Sequence, residues 1–491
     1  RRLARHLPGQ LWIVQSNGGV LRAAEAAARP VRTVLSGPAA GVTGASLVAG
    51  ASGYAQIVTL DMGGTSTDVA VCPGAPLRTT QATVADLPIA MPIIDIHTVG
   101  AGGGSIAFLD DAGALRVGPR SAGADPGPAC YNRGGVEPTV TDANLTLGRL
   151  SGSTRLAGTL ALDATLAARA LDRLLSPRRR SEAARREAAA AVVAVANAHM
   201  ERALRVITLE RGYDPRAFAL VAFGGAGPLH ACELAERLEI GTVVVPRFPG
   251  VLSALGALAG AHLREYTATL LKPVATLSDA RLGRVIGRLA AMAARDFGAS
   301  ATPVLQPLLD LRYVGQSYEL TVPLDASGLA GAVQAFHRRH AQRYAHSRPE
   351  APVEVVVARL VASVPQPPVP LPRLSRSRRA AAPASAREAV VGARVRSVPV
   401  YDRSHLRAGQ TFDGPAVIEQ PDATTWLPLG WSAAVDAHAA LILRRNPTGQ
   451  GADGHTTIRP RVRIRALATN RGRARQAPLR RGARRRHTIE S

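Results

Sequence analysis

Short apolar runs alternate with glycine turns and helical segments along the first 265 residues. Residues 11–15 and 31–35 have the pattern of buried strands with an Ala-rich helix between them, and the SGP at 36–38 favours a helix with proline in its first turn. Two further runs, at 56–60 and 69–72, predict the strands of a hairpin. The pattern indicates an α/β fold.

A strand, loop and helix unit follows later in the same region. Apolar residues at helical spacing predict one long helix over 182–211, which ends at Gly212. The run FALVAF at 218–223 predicts a buried strand, and a glycine loop, a helix over 228–239 and a strand over 242–245 come next. This order is typical of a βαβ unit with parallel strands.

Past residue 265 the glycine loops become rare, and strand patterns at 318–322 and 353–360 flank one short helix over 332–344. We therefore predict a separate C-terminal α+β domain over 266–445. Proline and Arg-Ser repeats at 365–383 are typical of an extended linker. Residues 446–491 alternate arginine with proline, glycine and alanine, and we expect this tail to be disordered.

The formal net charge of the 491-residue chain is +24, which raises nucleic acid as a possible partner. Lys272 is the only lysine among 60 basic residues, a bias typical of a GC-rich genome. The tail 446–491 holds twelve arginines against Asp453 and Glu490, and its net +10 leaves +14 for the rest of the chain. Because the tail has no aromatic residues for base stacking, we do not expect a nucleic-acid partner.

The three cysteines, Cys72, Cys130 and Cys232, are far apart and form no CxxC pair. Their spacing argues against a disulfide framework or a zinc site and predicts plain thiols in a reducing cytoplasm. No apolar run reaches the roughly 20 residues of a bilayer span, and no secretory leader is visible, so we predict a cytoplasmic protein without a membrane partner. The histidines lack metal-binding spacings and are expected to be core or interface residues.

The segment DMGGTSTD at 61–68 combines two aspartates, a Gly-Gly step and three hydroxyls between two predicted strands. Glycines let the backbone approach an anion, and successive N–H groups and hydroxyls can bind phosphate oxygens. Asp61, at the strand end, is suited to hold the Mg²⁺ that accompanies a nucleotide, usually through water. A plain hairpin turn is the alternative, but it does not need this set of side chains.

The segment FGGAGPLH at 223–230 places a glycine loop between a buried strand and a helix N-terminus, where a nucleotide can lie against bare backbone. It lacks the GxGxxG spacing, and the chain contains no GxxxxGK[ST], so dinucleotide-binding and P-loop folds are disfavoured. The two-loop arrangement of the actin and sugar-kinase fold remains, with a DxGGT-like hairpin for phosphate and a later Gly-Gly loop for adenosine.

Two glycine-dense segments, VGAGGGS at 99–105 and VGPRSAGADPGPAC at 117–130, suit no regular element and are predicted to be ordered loops around a site. A flexible surface loop is the alternative. Cys130 has no evident base near it in sequence, so it is not a favoured nucleophile. With the adjoining TVTDAN at 139–144, these loops predict a substrate pocket lined by Asp125, Asp142, Gly102 and Gly103.

The chain closely resembles the A-type subunit of the hydantoinase/oxoprolinase family. Agreement over so many separate strings is highly specific. The strings are LSGPAAGVTGA (35–45), DMGGTSTDVAV (61–71), TVGAGGGSIA (98–107), VGPRSAGADPGPACYNRGG (117–135), TDANLTLGRL (141–150), FGGAGPLHA (223–231), VPRFPGVLSALG (245–256), RYVGQSYEL (312–320), HSRPEAPVEVVVARL (346–360) and FDGPAVIEQPDATTWLPLGW (412–431).

The resemblance implies an actin-like ATPase core of the ribonuclease H-like (ASKHA) class over residues 1–265, whose first lobe is incomplete, followed by the C-terminal domain. It implies ATP-dependent hydrolysis of a cyclic amide of the hydantoin or 5-oxoproline type by phosphoryl activation of the carbonyl, in an oligomer with a B-type subunit. Carried over to this sequence, Asp61, Gly63, Gly64 and Thr65 would match the family's second phosphate loop, and Gly224 and Gly225 would match its adenosine loop, whereas the general base does not carry over. From the residues and the resemblance together we predict Asp61 and Asp68 to be catalytic, with Asp61 the Mg²⁺ ligand. The ATP-binding residues would be Gly63, Gly64, Thr65, Ser66, Thr67, Gly224, Gly225 and Gly227.

Two other functions stay open. In the carboxylase branch of the family the same phosphoryl step activates a ketone enol and bicarbonate, and a non-catalytic actin-fold scaffold is the third reading. The family's N-terminal region, with a first phosphate loop of the form Asp-x-Gly-Gly-Thr, is expected to precede residue 1. Because phosphoryl transfer depends on positioning by both lobes, we expect the 491-residue chain alone to bind ATP weakly and hydrolyse it slowly.

Overall fold

The computed structural model describes residues 11–79, 91–152, 159–298 and 302–446, and the backbone of 82–84 and 87–89. The predicted disorder of the arginine-rich tail therefore lies outside the described residues, except at residue 446. The described helices are α1 (Ala23–Ala28), α2 (Ser36–Ala51), α3 (Val140–Thr146), α4 (Ala164–Leu171), α5 (Glu182–Ile207), α6 (Gly227–Arg237), α7 (Leu252–Ala259), α8 (Asp279–Phe297) and α9 (Gly328–Tyr344).

The described strands include several short pairs besides those of the larger sheets. In chain order they are β1 (Trp12–Val14), β2 (Val20–Arg22), β3 (Gln56–Met62), β4 (Thr67–Pro73), β5 (Arg78–Thr79), β6 (Ala82–Val84), β7 (Leu87–Ile89), β8 (Ile93–Ile94), β9 (Ile96–Val99), β10 (Ser105–Leu109), β11 (Leu115–Ser121), β12 (Ala219–Phe223), β13 (Thr242–Val245), β14 (His262–Pro273), β15 (Val304–Tyr313), β16 (Leu320–Pro323), β17 (Val353–Val364), β18 (Ser385–Val391), β19 (Arg394–Asp402), β20 (Thr411–Asp413), β21 (Ala416–Gln420), β22 (Ala423–Leu427), β23 (Trp431–Val435) and β24 (Leu441–Arg445).

An eight-stranded mixed sheet, in the order β20-β23-β24-β13-β12-β3-β4-β9, forms the centre of the fold. Strand β12 pairs in parallel with both β3 and β13, while β4 and β9 continue the sheet antiparallel beyond β3. Helix α6 connects β12 to the parallel β13, which makes the predicted βαβ unit. The segment β9-β4-β3-β12-β13 has the strand order of the ribonuclease H-like core that the resemblance predicts.

Both faces of the central sheet are buried because its inner strands are apolar on both sides. In β12, Leu220 and Ala222 pack into one cluster with residues of α5 and α6, while Val221 and Phe223 pack into another with residues of α2 and α7. Helix α5 begins after Ser181, whose Oγ accepts from the backbone N–H of Ala184 at 3.2 Å. None of the helices in the described part of the chain is long and apolar enough to cross a membrane.

A six-stranded sheet, in the order β1-β2-β14-β17-β15-β16, packs with α8 and α9 around its own apolar cluster. A four-stranded sheet, β18-β19-β21-β22, lies beside α6. Strands β1 and β2 join the six-stranded sheet, and β20, β23 and β24 join the central one, so strand pairing crosses the predicted boundary near residue 265 in both directions. The domain division at that boundary remains a prediction.

Three local predictions were wrong, the first being that the C-terminal part has one short helix, since it also contains α8. The strand predicted at 31–35 is a 3₁₀ helix over Pro30–Thr33, because a proline in its first position fixes φ and favours a helical turn. The loop predicted over 117–130 begins with part of β11, which pairs antiparallel with β10 and places Val117 opposite Ala107. Within β11, Val117 and Gly118 are buried, whereas Arg116, Pro119 and Arg120 are exposed.

Helices α2 and α7 approach each other through glycines. A Cβ atom built on Gly256 would lie 1.8 Å from the carbonyl oxygen of Ala40, and one built on Gly44 would lie 2.6 Å from that of Leu252. Carbon atoms cannot approach a backbone oxygen this closely, so the two helices must separate to admit even a methyl group.

We expect Gly256→Ala to lower the free energy of unfolding by about 1–3 kcal/mol, the usual cost of overpacking a core. Gly283 is the matched control, since it lies exposed in α8 with nothing within 4 Å of its Cβ position among the described residues. Gly283→Ala should be neutral or raise stability by up to about 1 kcal/mol because alanine has the higher helix propensity. Urea unfolding measures both variants, and equal midpoints would contradict this packing.

Candidate active site

The β3–β4 hairpin places two carboxylates directly opposite each other, Asp61 on β3 and Asp68 on β4. Burial, which is the larger cause, and the negative charge of Asp68 together raise the pKa of Asp61 to about 7. Burial also raises the pKa of Asp68, although the hydroxyl of Thr98 donates to its Oδ1 at 2.5 Å and acts in the opposite direction. The pair therefore favours a proton or a cation beside Asp61.

The turn 63–66, between the two carboxylates, exposes its tip. The N–H of Gly63 donates to the carbonyl oxygen of Ser66 at 3.1 Å and closes the turn. Gly64 and Thr65 are exposed, and no described atom lies within 4 Å of a Cβ built on Gly64. Thr67 differs from the others because its buried hydroxyl donates to the carbonyl oxygen of Ala101 at 2.5 Å. The exposed tip can thus bind phosphate oxygens, whereas Thr67 joins the hairpin to loop 100–104.

Loop 100–104 supports this turn from one side. The N–H groups of Gly103 and Gly104 donate to the carbonyl oxygens of Gly63 and Gly64 at 3.0 and 2.7 Å. A Cβ built on Gly102 would lie 2.6 Å from the carbonyl oxygen of Gly64, so only glycine permits the contact. The structure thus brings the predicted substrate glycines and the predicted phosphate glycines together through backbone hydrogen bonds.

Loop 224–226 approaches the same carboxylate from the neighbouring strand. Gly224 has φ of +76°, and a Cβ built on it would lie 2.4 Å from the carbonyl oxygen of Met62 and 2.5 Å from Oδ1 of Asp61. Gly225 is exposed, and α6 begins two residues later at Gly227. Both predicted loops therefore follow the carboxyl ends of the adjacent parallel strands β3 and β12, where ligands of α/β sheets commonly bind.

These residues fit a nucleotide with its metal ion. Glycine backbone is open at two places, a helix N-terminus lies beside one of them, and Asp61 has a pKa that a nearby cation would lower. Among the described residues no group of three or more His, Cys, Asp or Glu gathers in a way that could hold a metal. Magnesium would accordingly be held by Asp61, phosphate oxygens and water, which suits its reluctance to lose its hydration shell.

The two predicted substrate aspartates lie in different surroundings. Asp142 is fully buried, and its carboxylate accepts from the N–H groups of Cys130 and Thr139 at 2.8 and 2.9 Å and from the hydroxyl of Thr139 at 2.7 Å. It forms the capping box of α3 and fixes the end of the preceding loop. Asp125 is exposed on that loop. Asp125 alone of the two is free to meet a ligand.

A buried polar network behind the site was not predicted. His230, on α6, has no exposed surface, and its Nδ1–H donates to Oδ1 of Asn197 at 2.7 Å while Nε2 accepts from the amide of Asn144 at 3.3 Å. Asn197 and Arg149 donate to the two carboxylate oxygens of Glu233 at 2.7 and 2.5 Å. Burial is the larger cause, and the charge of Arg149 the second, that lowers the pKa of His230 to about 4. The ring is therefore neutral near pH 7, and its two hydrogen bonds join α6 to α3 and α5.

The cysteines are free and buried in the described structure, as the sequence predicted. Burial raises the pKa of the Cys130 thiol, and the neighbouring charge of Asp142 raises it further. A thiol in this environment is protonated near neutral pH and is a poor nucleophile. The finding agrees with the sequence argument against a catalytic cysteine.

Asp61→Asn tests the charge pair. Because folding raises the pKa of Asp61 from its ordinary value of 3.8 to about 7, the carboxyl stabilises the fold fully below about pH 4 and loses that contribution as the pH rises through 7. Asparagine does not ionise, so the variant should be more stable than the wild type by about 1–3 kcal/mol at pH 8 and nearly equal to it at pH 4. Urea unfolding at both pH values measures this, and a difference that does not change with pH would refute the assignment.

Asp142→Asn should lower the free energy of unfolding by about 2 kcal/mol or more, because the amide leaves at least one buried donor without an acceptor. Asp125→Asn is the matched control and should change stability by less than about 0.5 kcal/mol, since Asp125 is exposed. Thermal unfolding of the two variants distinguishes the residues. Similar losses, or a larger loss for Asp125→Asn, would show that the loop is held in another way.

Comparison with known proteins gives consistent matches along the chain. Residues 2–266 match the hydantoinase/oxoprolinase family model, and residues 288–446 match the model of the hydantoinase/oxoprolinase C-terminal domain. Caprolactamase subunit alpha of Pseudomonas jessenii is 36% identical over 452 residues, which are 87% of this chain and 64% of the relative.

Two solved structures are similar over most of the chain. The crystal structure of the ATP-dependent caprolactamase from Pseudomonas jessenii matches with a TM-score of 0.79 at 34% identity. The match covers 88% of this chain and 65% of the caprolactamase chain. A nucleotide-free structure of acetone carboxylase matches with a TM-score of 0.70 at 27% identity. The match covers 90% of this chain and 65% of the acetone carboxylase chain. The chain thus spans less than two thirds of the length of these relatives. The predicted α/β fold with an actin-like core is confirmed, and the chain belongs to the hydantoinase/oxoprolinase family.

Proposed function

We propose that this chain is the ATP-binding part of an A-type subunit that opens a cyclic amide of the hydantoin or 5-oxoproline type. The family contains ATP-dependent hydrolases of cyclic amides and ketone carboxylases. The observation that supports the proposal most directly is the meeting of two glycine loops at one carboxylate. Turn 63–66 and loop 224–226 leave exposed backbone on either side of Asp61, whose Oδ1 lies 2.5 Å from the Cβ position of Gly224.

The chemistry explains why such a site would use ATP. A lactam or imide carbonyl is a poor electrophile, and a phosphoryl group from ATP would convert its oxygen into a phosphate ester that can leave. The N–H groups and hydroxyls of turn 63–66 would orient the phosphates. Asp61 would release its Oδ proton when it holds Mg²⁺ through water, and Asp68 would add negative charge beside it. Asp125, Gly102 and Gly103 would border the substrate, with Asp142 fixing the end of the loop that carries Asp125 and Thr141 donating to the carbonyl oxygen of Gly103.

A B-type subunit is the partner that we propose. Relatives of this chain are named as subunits of multi-subunit enzymes, among them an alpha subunit of a caprolactamase and a beta subunit of an acetone carboxylase. We also propose that the chain works as part of such an oligomer in the cytoplasm. Carboxylation of a ketone is the second candidate reaction, favoured by the TM-score of 0.70 to acetone carboxylase.

ATP hydrolysis by the chain, alone and with a B-type subunit, tests the function. The panel contains 5-oxoproline, hydantoins and caprolactam, and acetone and acetophenone with bicarbonate. Stimulation by a cyclic amide would support the first reaction, and stimulation by a ketone the second. Asp61→Asn should lower the stimulated rate at least about 100-fold, in keeping with the loss of a charged group at a phosphoryl-transfer site.

Asp111→Asn is the matched control. Asp111 is exposed in the turn between β10 and β11, so this variant should keep the wild-type rate. If Asp61→Asn also kept it, the phosphate site would lie elsewhere. Nucleotide binding without stimulation by any compound would favour the non-catalytic scaffold.

A further inference from the structure

The C-terminal part of the chain reaches the candidate nucleotide site through the turn between β21 and β22. These strands pair antiparallel up to Gln420 and Ala423. Strand β22 packs against α6, the helix that begins directly after loop 224–226. Packing along this helix therefore brings turn 420–423 to the loop at the helix N-terminus.

One carboxylate in this turn fastens a second loop. Oδ2 of Asp422 accepts from the N–H of Gly250 at 2.9 Å, and Oδ1 accepts from the amide of Gln420 at 2.6 Å. The same amide of Gln420 donates to the carbonyl oxygen of Arg247 at 3.0 Å. A Cβ built on Gly250 would lie 2.6 Å from the carbonyl oxygen of Asp422, so the approach requires glycine. Asp422 thus holds the segment 247–250 against turn 420–423.

Segment 247–250 also holds the predicted adenosine loop, 224–226. The N–H of Gly224 donates to the carbonyl oxygen of Pro249 at 2.9 Å, next to the residue that Asp422 binds. Across from the exposed Gly225, the described atom nearest to its Cβ position is the carbonyl oxygen of Asp422, at 3.8 Å. The turn therefore borders the open side of loop 224–226 and fixes the backbone beneath it.

We propose that Asp422 is a positioning residue for nucleoside binding, and that turn 420–423 forms one wall of the adenosine end of the site. The proposal rests on the proposed use of ATP and adds to it a role for the C-terminal part of the chain. The phosphate end is held separately, because loop 100–104 supports turn 63–66 through its own hydrogen bonds. Substitution of Asp422 should consequently weaken binding of the nucleoside and leave binding of the phosphates almost unchanged.

The experiment compares ATP with inorganic tripolyphosphate, which has the phosphates without the nucleoside. Affinities are measured on the full chain by direct titration of a fluorescent ADP analogue and by its displacement. Asp422→Ala should weaken ATP and ADP binding about tenfold and tripolyphosphate binding less than twofold, since only the nucleoside wall is lost. Asp422→Asn should fall between the wild type and Asp422→Ala, because its amide oxygen can still accept one of the two hydrogen bonds.

Asp111→Ala, which removes an exposed aspartate from another hairpin turn, is the matched control and should leave all affinities unchanged. Unchanged ATP affinity in Asp422→Ala, or equal losses for ATP and tripolyphosphate, would overturn the positioning role while leaving the proposed function intact. A wild-type chain that binds ATP no better than tripolyphosphate would instead overturn the nucleotide site itself. Thermal unfolding of Asp422→Ala, expected within a few degrees of the wild type, separates a local effect from unfolding.

Discussion

The candidate site depends on backbone segments that approach each other more closely than any side chain would allow. Gly224 meets the end of β3, Gly102 meets turn 63–66, and Gly250 meets turn 420–423, each at a distance that leaves no room for a Cβ atom. The first two contacts place backbone beside Asp61 and the turn that follows it, and the third holds the segment whose Pro249 accepts from the N–H of Gly224. A site built from backbone in this way is positioned by the sheet itself and depends little on the rotamers of long side chains.

The sequence predicted the parts of the site whose chemistry is local. The hairpin at 61–68 and the loop at 224–226 follow from glycine and aspartate between apolar strands, and adjacent parallel strands bring their ends together. Helix α8 was missed although Leu282, Val285 and Leu289 have helical spacing and are buried. Its two glycines and many arginines obscured a pattern that was present in the sequence.

Other features depend on partners far along the chain, and no local pattern reveals them. Asp142 was predicted to line a pocket, yet its carboxylate faces the backbone of a loop twelve residues earlier. The network of His230, Asn197 and Asn144 needs three helices to pack before its members meet. Likewise, β24 continues the central sheet beside β13, although almost 200 residues separate the two strands in sequence. Such pairings are set by burial across the whole core.

The polar groups of the site differ in how their charge is balanced. Behind the site, Arg149 compensates the charge of Glu233, and a neutral His230 hydrogen-bonds to Asn197 and Asn144, so that network joins three helices. At the site itself Asp61 and Asp68 face each other without a cation between them among the described residues, and burial adds to their repulsion. A divalent ion would relieve that repulsion and lower the pKa of Asp61. The electrostatics thus favour a bound cation at a place where exposed glycine backbone could also bind the phosphate groups that accompany the cation.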